Sequence, residues 1–293
     1  MKQNYVLSMF ILVLVFSLVL SCTDHLPPNP LPNQQRIKSI TQILPQVDGA
    51  TFLSYFTYNA QNQLEFIKSS PVPANIPGKR ATTHYSYDIN KNISEVHRTF
   101  NDGPGEEHYV YTIGSFGQVT QLNYNGGGSE VYNMIFNYNG QQLQNSSRRF
   151  TTSGISYRQD IVYHFGGQNL SSADYTTTLI RDIPSVGTST LTFAYDDKIN
   201  PFFGMPVIPA PNEAPKPSMG NFNYYTFSGG LDNLLNLNHN NVLSAKSSTL
   251  AEINYQYTYN SDGLPLTRNT IRKTTPQIQP LIEETLVFEY ESY

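Results

Sequence analysis

Apolar and polar residues alternate along most of this chain. Ile253, Tyr255, Tyr257 and Tyr259 are separated by Asn254, Gln256 and Thr258. Tyr132, Met134, Phe136 and Tyr138 are interleaved with Asn133 and Asn137; Ile161, Tyr163 and Phe165 with Val162 and His164. Leu286, Phe288 and Tyr290 repeat the pattern near the end. A period of two is the strand period, because successive side chains point to opposite faces of a sheet. One aromatic and one polar face per strand predict an antiparallel sheet, packed on one side and wet on the other.

The punctuation between these runs also repeats. An aromatic residue, then Asn, Asp or Gly, then a turn and an aliphatic residue recur as YNAQNQL (Tyr58–Leu64) and YDINKNI (Tyr87–Ile93). The same unit returns as YNGQQL (Tyr138–Leu143), FGGQNL (Phe165–Leu170) and YNSDGL (Tyr259–Leu264). Asn, Asp and Gly tolerate the positive φ of tight hairpin turns. Successive anchors leave room for two strands of about ten residues with their turns. The interval from Tyr195 to Tyr259 is about twice as long and holds an insertion near 198–245. That insertion carries five prolines between 206 and 217. Leu231, Leu234 and Leu235 then have helical spacing, which predicts one short helix of about two turns. The fold class expected is all-β: a many-stranded antiparallel meander of hairpins, strongly curved or closed into a barrel, aromatic face inward.

Ahead of the strands, Val6 to Leu20 run without a charge. Fifteen residues fall short of the ~20 that span a bilayer and suit the apolar region of an export signal. Val19-Leu20-Ser21-Cys22 resembles a bacterial lipobox, although Val19 and Leu20 occupy places usually held by Leu and a small residue. Cys22 is the chain's one cysteine, and the resemblance makes it a lipidation site. Pro27, Pro28, Pro30 and Pro32 then make residues 22–35 an extended tether, reaching roughly 40 Å at ~3.1 Å per residue. The expected organisation is a signal peptide over 1–21, a lipidated tether over 22–35 and a β domain over 36–293. A diacyl thioether plus an amide-linked acyl chain is enough for stable anchoring. The location implied is the bacterial outer membrane, facing either the periplasm or the surface. Asp24 alone stands where a surface-export signal would carry a run of acidic residues.

Composition narrows the function classes. The chain is 14% charged against about 25% in average soluble domains, so Asn, Gln, Ser and Thr must supply its surface polarity. Its 21 Tyr and 16 Phe provide enough burial to exclude disorder. One cysteine excludes a disulfide scaffold. A net charge of −4 gives no attraction for phosphate, so nucleic acid is not an expected partner.

Together, the lipobox, the Tyr-Asn/Asp turns, the segment Tyr195-Asp196-Asp197-Lys198 with Asn200-Pro201-Phe202, and Asn240-Asn241-Val242 resemble a Bacteroidota-type lipoprotein family of unknown function, DUF4595-like. The resemblance implies a porin-like, many-stranded antiparallel fold and brings no chemistry with it. A looser similarity is to YD-repeat proteins, whose shorter unit has an Arg after the Gly that is missing here. A porin-like fold raises the alternative of an outer-membrane β-barrel. Tyr293 has the opposite parity to Leu286, Phe288 and Tyr290, and Gln159 and Ser54 interrupt the aromatic face, so a barrel standing in water is expected instead.

The search for chemistry yields no catalytic constellation, and neither a cofactor nor a metal is expected. The histidines at 25, 84, 97, 108, 164 and 239 form no HExxH-type motif and no pair on one strand face. Asp160 and His164 share a strand face but stand ~13 Å apart. The loop Asp102-Gly103-Pro104-Gly105-Glu106-Glu107-His108 offers oxygen ligands to a hard cation, and equally reads as a hairpin with solubilising charges. Glu283-Glu284 and Asp196-Asp197 are adjacent pairs that a strand sends to opposite faces. Gly126-Gly127-Gly128 reads as a hairpin turn. The function expected is a non-enzymatic envelope lipoprotein acting as a binding or assembly module. Its partners are the membrane, through Cys22, and a glycan or protein ligand. The alternative is a glycan-active hydrolase with two loop carboxylates about 5–9.5 Å apart. The absence of Trp weakens any sugar-stacking role for the tyrosines.

Overall fold

The computed structural model describes residues 35–45, 50–73, 80–101, 105–125, 131–152, 155–203, 236–248, 252–273 and 281–293. The signal segment, Cys22, the tether up to residue 34, Gly126–Gly128 and the helix expected over 231–235 lie outside the described residues. Sixteen strands and no helix occupy the described part. They are β1 (Gln35–Leu44), β2 (Ala50–Tyr58), β3 (Leu64–Val72), β4 (Ala81–Tyr87) and β5 (Ile93–Phe100). Next come β6 (Glu106–Ile113), β7 (Val119–Asn125), β8 (Val131–Asn139), β9 (Gln142–Thr152) and β10 (Ile155–Gly166). The last six are β11 (Asn169–Ile180), β12 (Ser185–Ile199), β13 (Asn240–Ser247), β14 (Glu252–Tyr259), β15 (Pro265–Lys273) and β16 (Leu281–Ser292). Every strand pairs antiparallel with its neighbours in sequence, and β16 pairs with β1, so the sheet is a closed barrel without edges.

The sequence repeat is one hairpin step around this barrel. Each unit begins with an aromatic residue at or close to the end of an even-numbered strand, Tyr58, Tyr87, Tyr138, Phe165 and Tyr259, and Tyr195 and Tyr290 stand near the ends of β12 and β16. The aromatic pattern omits one unit, Ile113-Gly114-Ser115-Phe116-Gly117-Gln118-Val119, whose first position is aliphatic. All these tight turns lie at one end of the barrel. The doubled interval between Tyr195 and Tyr259 is an ordinary pair of strands, β13 and β14, plus the insertion between Ile199 and Asn240.

The turn chemistry explains why Asn or Asp follows the aromatic residue. Asn59 Oδ1 accepts from the backbone N–H of Gln61 at 3.0 Å and of Gln63 at 2.9 Å. Asp88 Oδ1 does the same for Asn90 and Asn92, each at 2.8 Å, and Asn260 Oδ1 for Asp262 at 3.0 Å and Leu264 at 2.9 Å. These two N–H bonds hold the Asp88 carboxyl below its usual range, the one from Asn92 foremost. The fourth residue after the anchor has positive φ: Gly117 (82°) and Gly263 (78°), but also Asn62 (62°) and Lys91 (66°).

The anchor hydroxyls tie each hairpin to the one before it. Tyr58 donates to the Ile37 carbonyl at 2.7 Å, Tyr87 to Leu64 at 2.7 Å, Tyr138 to Val119 at 2.8 Å and Tyr290 to Pro265 at 2.9 Å. Tyr195 donates to the Leu170 carbonyl. Three of these acceptors, Leu64, Val119 and Leu170, are the aliphatic residues that close the preceding turns, and Ile37 and Pro265 lie near the starts of β1 and β15.

The aromatic face is inside, as its period predicts. Phe56, Tyr85, Tyr109, Phe136, Tyr163, Tyr175 and Phe288 are all buried, and Ile40, Leu122, Met134 and Leu170 have no exposed surface. A water-filled lumen would leave such side chains accessible; here they join one apolar cluster running from β1 to β12 and onto β16. Phe202, from the start of the insertion, turns into this cluster and meets Phe288 at 5.8 Å between ring centroids. The outward face carries exposed Lys38, Lys68, Asn123, Asn137, Arg149, Arg158, Lys246 and Gln256. Its larger apolar residues, such as Tyr55, Val110, Ile135 and Val162, stand among polar neighbours.

Candidate functional site

The motif at the base of the insertion is a clamp. Asp196 Oδ1 accepts from the backbone N–H groups of Lys198 at 3.0 Å and Asn241 at 3.1 Å. Its Oδ2 accepts from Asn241 Nδ2 at 3.2 Å and from the Tyr259 hydroxyl. Tyr259 is the anchor whose preceding turn was replaced by the insertion, and the Asp196 carboxylate serves where its fellow anchors use a backbone carbonyl. Desolvation, followed by this bond to Asp196, raises the Tyr259 hydroxyl well above its ordinary value. Asn200 donates to the Asn238 carbonyl at 3.0 Å and accepts from Phe202 N–H at 3.0 Å. Asn238 Oδ1 in turn accepts from Leu170 N–H at 2.7 Å, and Asn240 and Asn169 exchange two bonds of 2.8 and 3.0 Å. Both feet of the insertion are thus fixed to the tight-turn end, and the YDDK, NPF and NNV segments are explained by that role.

Farther from the turns the interior becomes polar. Arg268 Nη2 lies 2.8 Å from Glu284 Oε1, with both side chains largely buried. Gln42 donates to the other Glu284 oxygen at 2.6 Å, and Thr270 adds a bond of 3.3 Å. Burial, the largest single influence, would lower the Arg268 pKa; the Glu284 charge, with Tyr257, Tyr255 and the hydrogen bond to Glu284 added to it, holds the guanidinium above its ordinary range. A second group joins Arg98 to Glu107 at 3.5 Å, with the Tyr109 hydroxyl on the same carboxylate at 3.0 Å. A third places buried Arg148 on Gln159 at 3.0 Å, and Gln159 on Thr177 at 3.3 Å. Gln159 and Ser54, which interrupt the aromatic pattern in sequence, are inward residues of this polar zone; Ser54 bonds Ser69 at 2.7 Å. A cavity of about 10 Å³, the room of a single water, lies between Asn200, Phe202, Tyr257, Arg268 and Phe288. No carboxylate lines it.

The carboxylate pairs separate as strand geometry requires. Glu284 faces inward on Arg268, whereas Asp197 is exposed beside Lys198 at 3.2 Å. Asp160 pairs with Arg158 at 2.9 Å and His164 with Asp174 at 2.8 Å, so these two strand neighbours have separate partners. The loop considered for a hard cation does not gather its oxygens: Glu107 points inward to Arg98, while Glu106 and His108 point outward. Asp102 lies outside the described residues.

What that outward pair meets is the site the sequence reading missed. His97 on β5 is the register partner of His108 on β6. Their rings stack at 4.0 Å, 20° from parallel. Glu106 Oε2 lies 3.1 Å from His97 Nε2 and 3.5 Å from His108 Nε2. On the far side of the ring, His108 Nδ1 is 3.3 Å from Glu95 Oε1. Bonding to His97 and then to His108 lowers the Glu106 carboxyl pKa. A signal was available: β5 and β6 pair symmetrically about Asp102-Gly103, which brings residues 97 and 108 opposite each other on the polar face.

No family model matches the chain, and no curated protein matches it. Among solved structures, a porin-like protein from Bacteroides uniformis ATCC 8492 superimposes with a TM-score of 0.56 at 14% identity, covering 90% of this chain and 99% of that one. A porin-like protein from Bacteroides vulgatus ATCC 8482 gives a TM-score of 0.44 at 13% identity, covering 87% and 98%. The first likeness is one of fold: this chain has the many-stranded antiparallel barrel implied by the resemblance drawn from its motifs.

Proposed function

We propose that this chain is a lipid-anchored envelope protein of the bacterial outer membrane, of the Bacteroidota lipoprotein kind, whose barrel stands in water as a non-enzymatic binding or assembly module. The observation that carries the reading is the arrangement of its two faces. A membrane barrel presents an apolar band outward, and an Arg or Lys on that band costs about 2–4 kcal/mol at the bilayer midplane. Here Lys68, Arg149, Arg158 and Asp160 face outward, and the apolar side chains fill the interior. The apolar cluster that the described residues pack into the interior supports a binding or assembly role over the conduction of solutes. Its buried carboxylates, Glu107 and Glu284, are engaged by arginines, which supports a structural use over an acid/base one. Among the described residues the chain enters the barrel at Gln35, at the tight-turn end.

The test is to replace residues 1–22 with a cleavable export signal and fractionate the cells. Recovery in the soluble periplasmic fraction without detergent is expected; recovery only in membranes would establish the transmembrane reading instead. For the anchor, labelled palmitate is expected on the native chain and not on Cys22→Ser, and equal labelling of both overturns that part.

A further inference from the structure

We propose that His97, Glu106 and His108 form a binding site for one divalent transition-metal ion on the outward face of β5 and β6, with Glu95 orienting His108 from behind. The inference is independent of how the chain is anchored. Zn²⁺ held by imidazole nitrogen and carboxylate oxygen at ~2.0–2.2 Å in tetrahedral geometry separates neighbouring ligand atoms by roughly 3.3–3.5 Å. The two edges from Glu106 Oε2 to the histidine Nε2 atoms are 3.1 and 3.5 Å, and all three ligand atoms lie within 4.8 Å of one another. The stacked rings need only splay from their 20° arrangement for both nitrogen lone pairs to converge on one point.

The Glu95 contact is what separates this cluster from an ordinary surface ion pair. A metal-bound histidine characteristically donates its other ring N–H to a carboxylate, which fixes the tautomer and raises ligand basicity. His108 has that arrangement, with Nδ1 on Glu95 and Nε2 on the ligand side. Two imidazoles and a carboxylate select Zn²⁺, Cu²⁺ or Ni²⁺ over Ca²⁺ and Mg²⁺, which prefer oxygen ligands throughout. Three protein ligands on a partly exposed face leave a coordination position open, for water or for a donor group on another molecule.

Calorimetric titration of the mature full-length chain with ZnCl₂ is expected to show one ion bound with a dissociation constant of about 1–10 μM, with His97→Asn and His108→Asn each weakening it at least ~30-fold and Glu95→Gln about tenfold. Unchanged affinity in His108→Asn overturns the proposal. Cu²⁺ electron paramagnetic resonance on the native chain needs no variant: hyperfine coupling to two imidazole nitrogens is expected. A spectrum without two-nitrogen coupling overturns the site even if a variant fails to fold.

Discussion

Next to the tight turns the barrel interior consists of rings and aliphatic side chains closed by tyrosine hydroxyls, whereas farther along the same strands it holds Arg98, Arg148 and Arg268 with their partners. The first zone is set by the repeat. Most units supply an aromatic anchor and an aliphatic closer, so similar steps around the barrel produce one layer of packing. The second zone has no repeat. Its buried charges depend on pairings particular to their strands, such as Arg268 with Glu284 across β15 and β16. An apolar layer tolerates variation so long as volume is kept; a buried ion pair fails when either member is lost.

That contrast can be broken from either side. Glu284→Ala leaves the Arg268 guanidinium buried without its carboxylate and is expected to destabilise by about 3–5 kcal/mol in urea unfolding, whereas Arg268→Met with Glu284→Met together recovers most of the loss. If the double variant is as unstable as the single one, the polar zone is more than a set of replaceable pairs. In the apolar zone, Leu170→Ala removes a fully buried closer and is expected to lower stability by about 2–4 kcal/mol, by transfer and cavity terms alone. Tyr87→Phe and Tyr138→Phe, which delete only the bonds to Leu64 and Val119, are each expected to lose about 1 kcal/mol.

The same hydroxyls give the barrel a pH dependence. Burial pushes the Tyr87 hydroxyl up to about 12 and raises Tyr138, Tyr195 and Tyr290 further. In the unfolded chain these groups ionise near ~10. The folded state therefore keeps protons that the unfolded state releases. Stability is full below about pH 10 and falls as pH rises through the folded values. The urea midpoint is expected to be lower at about pH 11 than at about pH 8, with tyrosinate absorbance appearing together with unfolding. Tyrosinate forming in a barrel that stays folded would show the anchors to be more open than their burial implies. The smallest expected effect is at a turn. Lys91 holds φ 66° where two sister turns have glycine, so Lys91→Gly is expected to gain about 0.5 kcal/mol in thermal unfolding.

How much was legible follows from the same contrast. Strand period and turn residues are local properties, and they disclose the antiparallel class, the inward aromatic face and most of the hairpin steps. The unit beginning at Ile113 escaped because its anchor is aliphatic, although its Gly114 and Gly117 keep the turn pattern. The polar zone showed in sequence only as interruptions such as Ser54 and Gln159, since which arginine meets which acceptor depends on register. The His97–His108 pair is likewise a register property. Alternation places both residues on wet faces, and only the pairing of β5 with β6 places them against each other.

The seam between β1 and β16 joins residues more than 240 positions apart, through Arg36 with Glu291 and Gln42 with Glu284. Every other pairing in the barrel is between neighbours in sequence, and can form hairpin by hairpin as the chain emerges. The seam cannot. Until the last strand arrives, β1 and β15 each present an unpaired edge to any other strand in reach, which is the geometry that leads to misassembly. Closing it carries the loop entropy of nearly the whole domain, the kind of contact that slows folding. The barrel is thus a fold that stays incomplete during synthesis and locks only in its final step.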